Sequence, residues 1–151
     1  MYSVVIENTF KKKLKKLDKS VEKKIVQWID LYVESDVDPK SHGKALKGNY
    51  RGLWRYRVGK YRIVVIINDI KKTVKVVEVY YRREAYRELN GLIRGITTEE
   101  LKVVVGGMQE DEFTLEETIY DLELVRQYEK DKKAGKITSR PIEELFQEYG
   151  L

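Results

Sequence analysis

Residues 52–86, GLWRYRVGKYRIVVIINDIKKTVKVVEVYYRREAY, carry three strand signals in succession and limit the fold more than any other part of the chain. Leu53 to Gly59 alternates bulky and cationic residues. A strand here puts Arg55 and Arg57 on one face and Trp54, Tyr56 and Val58 on the other. Tyr61 to Ile67 is a nearly continuous β-branched run, the pattern of a central strand buried on both faces. Asn68-Asp69 and Lys71-Lys72 supply a turn, and Val74 to Tyr80 returns as a third strand. Arg55, Arg57, Arg62, Arg82 and Arg83 then lie on or just beyond one short antiparallel sheet. Five guanidiniums gathered there repel one another unless something anionic sits among them. RNA phosphate fits, because the arginine fork matches phosphate geometry.

Upstream, Tyr2 to Ile6 reads as a short strand. Asn8-Thr9 can cap a helix with Phe10, Leu14 and Leu17 on one stripe and Lys11, Lys12, Lys13, Lys15 and Lys16 around the rest. A second helix, from about Val21 to Val33, carries Val21, Ile25, Trp28, Ile29 and Tyr32 at helical spacing. A helical hairpin must pack its stripes on something, and the sheet supplies that surface. Trp28 and Trp54 read as core, and His42 as a surface residue of the loop spanning Ser35 to Asn49. Arg83 to about Arg94 reads as a further helix. The expected class is α+β: a helical hairpin packed on a small antiparallel sheet, with a C-terminal amphipathic helical tail.

Charge divides the chain. Residues 1–90 hold 22 Lys and Arg against 11 Asp and Glu, whereas residues 91–151 hold 8 against 14. A basic first part and an acidic second part call for different partners, or for each other. There is no cysteine and one histidine, His42, so neither a disulfide framework nor a thiolate or histidine metal centre is expected. No long apolar run or signal-peptide pattern is present, and a cytoplasmic, cofactor-free protein is the default expectation.

In the tail, Thr114 to Glu117 is a capping box opening a helix to about Lys133. Its apolar positions are Leu115, Ile119, Leu122, Leu124, Val125 and Tyr128. A short helix starting near Pro141 carries Ile142, Leu145, Phe146 and Tyr149. Two such helices cannot bury their stripes alone. The tail's docking face is therefore read as Leu115, Ile119, Leu122, Val125, Tyr128, Ile142, Leu145 and Phe146. The parts are residues 1–94, a linker or extra edge strand at 95–113, and the acidic segment 114–151.

The stretch KALKGNYRGLWRYRVGKYRIVVIIND, followed by VEVYYRREAY, resembles the RelE/ParE superfamily of toxins over roughly residues 1–90. The resemblance implies a ribosome-dependent endoribonuclease that cuts mRNA in the ribosomal A site. A ribose 2′-OH attacks the adjacent phosphate without a metal, and cations stabilise the phosphorane-like transition state. Carried over residue by residue, it assigns phosphate stabilisation to Arg62 and Arg82 and proton transfer or base stacking to Tyr86. Arg55, Arg57, Tyr81, Arg83, Lys44 and Lys47 become substrate-binding. Many relatives have Gly-His-Arg where this chain has Tyr80-Tyr81-Arg82, so a histidine acid–base role is missing. Some members of the superfamily poison gyrase instead, and a catalytically inactive RNA-binding or self-associating module is a third reading. The acidic segment 111–151 resembles RelB-type antitoxins more loosely. It implies a fused inhibitor that covers the basic part of its own chain or of a second copy. A ribbon-helix-helix DNA-binding module is not evident.

Overall fold

The computed structural model describes residues 2–34, 38–45, 52–84 and 112–151. The segments expected as a helix beyond Arg83 and as a linker or edge strand at 95–113 lie mostly or wholly outside these residues, as do Lys47 and Tyr86. In chain order the elements are β1 (Ser3–Glu7), α1 (Asn8–Lys15), α2 (Lys19–Ile29), β2 (Lys44–Ala45), β3 (Leu53–Val58), β4 (Tyr61–Asn68), β5 (Thr73–Tyr81), α3 (Glu112–Lys133), β6 (Ser139–Pro141) and α4 (Ile142–Glu148). A π-helical turn, Asp30–Glu34, continues α2.

The three strands read from residues 52–86 form an antiparallel meander. Gly52 enters it at φ +83, and a Cβ there would stand 2.2 Å from the Ile67 carbonyl oxygen, so the approach to β3 requires glycine. The β4–β5 turn is fixed by Asn68, whose side-chain oxygen accepts hydrogen bonds from the amides of Ile70 and Lys71 at 3.1 and 3.0 Å. Val64 pairs with Glu78 and Val65 with Val76, leaving Val77 as the extra residue of a bulge.

Among the described residues the sheet has six strands in the order β2-β3-β4-β5-β1-β6. β1 pairs with β5 in parallel, and β6 pairs with β1 antiparallel. The meander is thus extended on one side by the N-terminal strand and then by a strand from the C-terminal tail. Pro141 is tolerated in β6 because that strand is the edge.

Two cores lie on opposite faces. On one, α1 and α2 bury Phe10, Leu14, Ile25, Val26 and Ile29 against Val4, Ile6, Tyr56, Ile63, Val65 and Val79. Ile142, Leu145 and Phe146 of α4 belong to this same core. On the other face, α3 packs Ile119, Tyr120 and Val125 on Leu53, Val64 and Tyr80. Having helices on both faces makes the unbroken apolar run of β4 intelligible. Among the described residues no helix is long and apolar enough to cross a membrane.

Candidate nucleic-acid interface

Strand alternation does what the sequence requires of it: Arg55, Arg57 and Arg62 project from the face opposite the helical hairpin. Arg57 and Arg62 are direct partners across the β3–β4 ladder. Without counter-charge this face could not be covered by an apolar helix, because a buried unpaired guanidinium is far more costly than a buried methyl. Yet α3 covers it. Arg55 is 1% exposed and Arg62 4% exposed.

The covering helix supplies its own anions. The Arg55 Nη1–H donates to Asp121 Oδ2 at 2.9 Å, and its Nη2 stands 4.0 Å from Glu117 Oε2. The Arg62 Nε–H donates to Glu117 Oε1 at 2.9 Å. Arg62 Nη1–H also donates to the carbonyls of Gly59 and Tyr61, each at 3.0 Å. Glu117 and Asp121 are four residues apart, hence one turn apart on one face of α3. That spacing matches two guanidiniums on neighbouring strands.

The network is incompletely satisfied. Arg55 Nε and Nη2 are buried without a hydrogen-bond partner. Burial raises the Asp121 carboxyl to about 7, opposed by Arg55 and by hydrogen bonding. Burial pulls the Arg55 guanidinium down, but Asp121, Tyr80 and Glu117 outweigh it and hold the group above its ordinary value. Arg62 is lowered, because burial exceeds the support from Glu117 and Arg57 adds repulsion. A carboxyl that holds its proton more tightly when covered than in water favours closure at low pH. That advantage is lost as pH rises from the ordinary carboxylate range through about 7.

α3 has 22 residues, about 33 Å at 1.5 Å per residue, enough to cross the sheet from β3 to β1. At its far end the Tyr128 hydroxyl and Lys132 Nζ donate to the buried Glu7 of β1 at 2.6 and 2.9 Å. Burial opposes ionisation of Glu7, but hydrogen bonds involving Ser139, Tyr128 and Lys132 prevail and hold its carboxyl below the ordinary value.

The remaining expected site residues fall into two places. Tyr81, Arg82 and Arg83 lie at the end of β5, where with Lys60 they line a cavity of about 290 Å³ that the paired carboxylates do not reach. The Arg82 amide donates to the Lys60 carbonyl at 2.8 Å, and the Tyr61 and Tyr81 rings stand 5.3 Å apart. Lys44 sits on β2, paired in register with Arg55. Of the expected docking face, Ile119, Val125, Tyr128, Ile142, Leu145 and Phe146 are buried and Leu122 is half-buried. The Leu115 side chain lies outside those described. Glu117 was read from sequence only as part of a capping box, and Asp121 was not singled out. The available signal was an acidic i,i+4 pair within an otherwise apolar stripe.

The arginine face of the sheet is thus covered by a helix of the same chain that carries its counter-charges. The chain belongs to the ParE toxin family of type II toxin–antitoxin systems, parDE, whose sequence model matches residues 4–86. It is also similar to the RelBE2 toxin–antitoxin complex of Mycobacterium tuberculosis, with 28% identity over 53% of this chain and 96% of that one, at a TM-score of 0.46. The archaeal RelE–RelB complex of Pyrococcus horikoshii gives 26% identity, 54% and 94% coverage and a TM-score of 0.45. The isolated E. coli RelE toxin gives 21% identity, 62% and 99% coverage and a TM-score of 0.42. No curated protein sequence matches the chain.

Proposed function

We propose that the chain is an mRNA-cleaving toxin whose arginine face is held closed by its own antitoxin-like helix. The observation that carries this reading is the pairing of Arg55 and Arg62 with Asp121 and Glu117. The two carboxylates occupy positions that suit the non-bridging oxygens of an RNA phosphate. With α3 displaced, Arg62 and Arg82 would neutralise the phosphate while a 2′-OH attacks it. The attack forms a 2′,3′-cyclic phosphate and expels the 5′-oxygen, which must gain a proton. Tyr81 and Tyr86 are the candidate proton carriers in a site without histidine. The mRNA would be met in the ribosomal A site.

The test is a full-length Glu117→Lys/Asp121→Lys variant, in which four cations face one another and α3 is driven off the sheet. In a translating extract with mRNA ends mapped by primer extension, the variant is expected to cut within ribosome-bound codons and the unmodified chain is not. Adding Arg82→Ala to the open variant is expected to reduce cutting at least 100-fold. A folded open variant that leaves mRNA intact contradicts the ribonuclease reading. The family match favours one second reading, gyrase poisoning, which inhibition of DNA supercoiling by that variant without mRNA cutting would select.

A further inference from the structure

A cavity of about 500 Å³ opens beside β3, at the β2 edge of the sheet. Its size falls within the range of small-ligand sites. Trp28, Tyr32 and His42 form one wall, with ring centroids 5.1 Å apart for Trp28 and Tyr32, 4.6 Å for Tyr32 and His42, and 6.2 Å for Trp28 and His42. Lys44, Arg55 and Arg57 form another, and no Asp or Glu is among the described lining residues.

The rings are not spent on core packing alone. Trp28 and Tyr32 are half-buried and His42 is exposed. The loop carrying His42 is held in place from below. Trp54 Nε1–H donates to the His42 carbonyl at 2.7 Å, and the Tyr56 hydroxyl donates to the Pro39 carbonyl at 2.5 Å. Gly43 has φ +81 and lies so close to β3 that a Cβ would stand 2.5 Å from the Arg55 carbonyl oxygen. The loop side of the rim is therefore preformed.

Aromatic faces next to cations, with no Asp or Glu among the described lining residues, suit a ligand that combines a flat π-system with an anion. A nucleotide has both, since its base stacks on the rings while guanidinium and ammonium groups take the phosphate. Position narrows the choice further. Arg57 lines the cavity, and its direct ladder partner is Arg62, which lies under α3. A strand leaving the cavity past Arg57 runs onto the covered arginine face. We propose that this cavity is a subsite for one nucleotide of single-stranded RNA, with the base on the Trp28–Tyr32–His42 rings and the phosphate on Arg57 and Lys44. The assignment of RNA rests on the reading of the arginine face given above. The cavity is open while α3 is closed, so binding here does not require release of the helix.

The test uses the full-length, closed chain and a six-nucleotide single-stranded RNA, read by tryptophan fluorescence and by anisotropy of an end label. The unmodified chain is expected to bind with quenching of Trp28, and 5′-AMP but not inorganic phosphate is expected to compete. Tyr32→Ala/His42→Ala and, separately, Arg57→Ala are each expected to weaken binding at least 10-fold. Lys71→Ala, in the exposed β4–β5 turn, is expected to leave it unchanged. Competition by inorganic phosphate as effective as that by 5′-AMP, or unaltered affinity in the cavity variants, overturns the proposal. If hexamer binding is lost in the cavity variants although the open chain cuts no mRNA, the subsite stands and the cleavage reading falls. If the open chain cuts mRNA while the cavity variants bind normally, the reverse holds.

Discussion

A chain ending at Gly135 is expected to lose its cooperative urea transition. The truncation removes only β6, α4 and their flanks, but those pieces complete the fold. β6 is hydrogen-bonded to β1 from Val5 to Glu7. Ile142 and Leu145 are at most 1% exposed and Phe146 is 6% exposed, in the core that also holds Val4, Ile6, Phe10 and Leu14. Deleting one buried side chain of this size costs about 2–5 kcal/mol. Three such losses rival the roughly 5–15 kcal/mol of a whole domain. The surface pairs of Glu148 with Lys11 and Lys15 add little to this. Truncation also uncovers the edge of β1, so aggregation is expected with unfolding. A cooperative transition retained within about 1 kcal/mol of the full chain would mean that the tail packs more loosely than described.

Asp121→Ala is expected to destabilise the full chain by about 3–5 kcal/mol, the usual cost of removing one partner of a buried ion pair. Asp121 is wholly buried, and it is the close acceptor for Arg55 Nη1, with Thr118 Oγ1 at 3.5 Å as the alternative. Two other nitrogens of that guanidinium already lack hydrogen-bond partners. Asp121→Asn keeps a carbonyl for Nη1 and is expected to cost less. The pair Arg55→Met/Asp121→Leu removes both charges at similar volume and is expected to lie within about 1–2 kcal/mol of the unmodified chain. Urea denaturation of the four proteins at one pH checks the series. If Asp121→Ala is as stable as the unmodified chain, Arg55 finds water or another acceptor and the pair does not hold α3 down.

Much of this arrangement was legible because it is local. Alternation in residues 53–58 put the arginines on one face and Trp54, Tyr56 and Val58 on the other, and the structure has them so. The stripe of Phe10, Leu14, Ile25 and Ile29 does pack on the sheet. The parts that were not legible depend on distant partners. Ser139-Arg140-Pro141 has no strand character of its own and becomes β6 because β1 offers an open edge. The parallel pairing of β1 with β5 joins residues about seventy positions apart and leaves no short-range mark. Lys44-Ala45 sits in a stretch read as loop and is a strand only by virtue of β3. Glu117 and Asp121 look like solvated helix positions until Arg55 and Arg62 are placed opposite them. The Trp28–Tyr32–His42 cluster was missed similarly, since His42 reaches those rings only through a loop anchored by Trp54 and Tyr56.

In the proposed function α3 is a separable cover over the arginine face, held there by charge. Amide hydrogen exchange across the full chain, comparing the unmodified protein with Glu117→Lys/Asp121→Lys, tests that most directly. In the variant, protection of residues 117–128 is expected to fall at least 100-fold while β3, β4, β5 and α4 keep theirs. Equal protection of α3 in both proteins, or loss spread evenly over the whole chain, would contradict the claim.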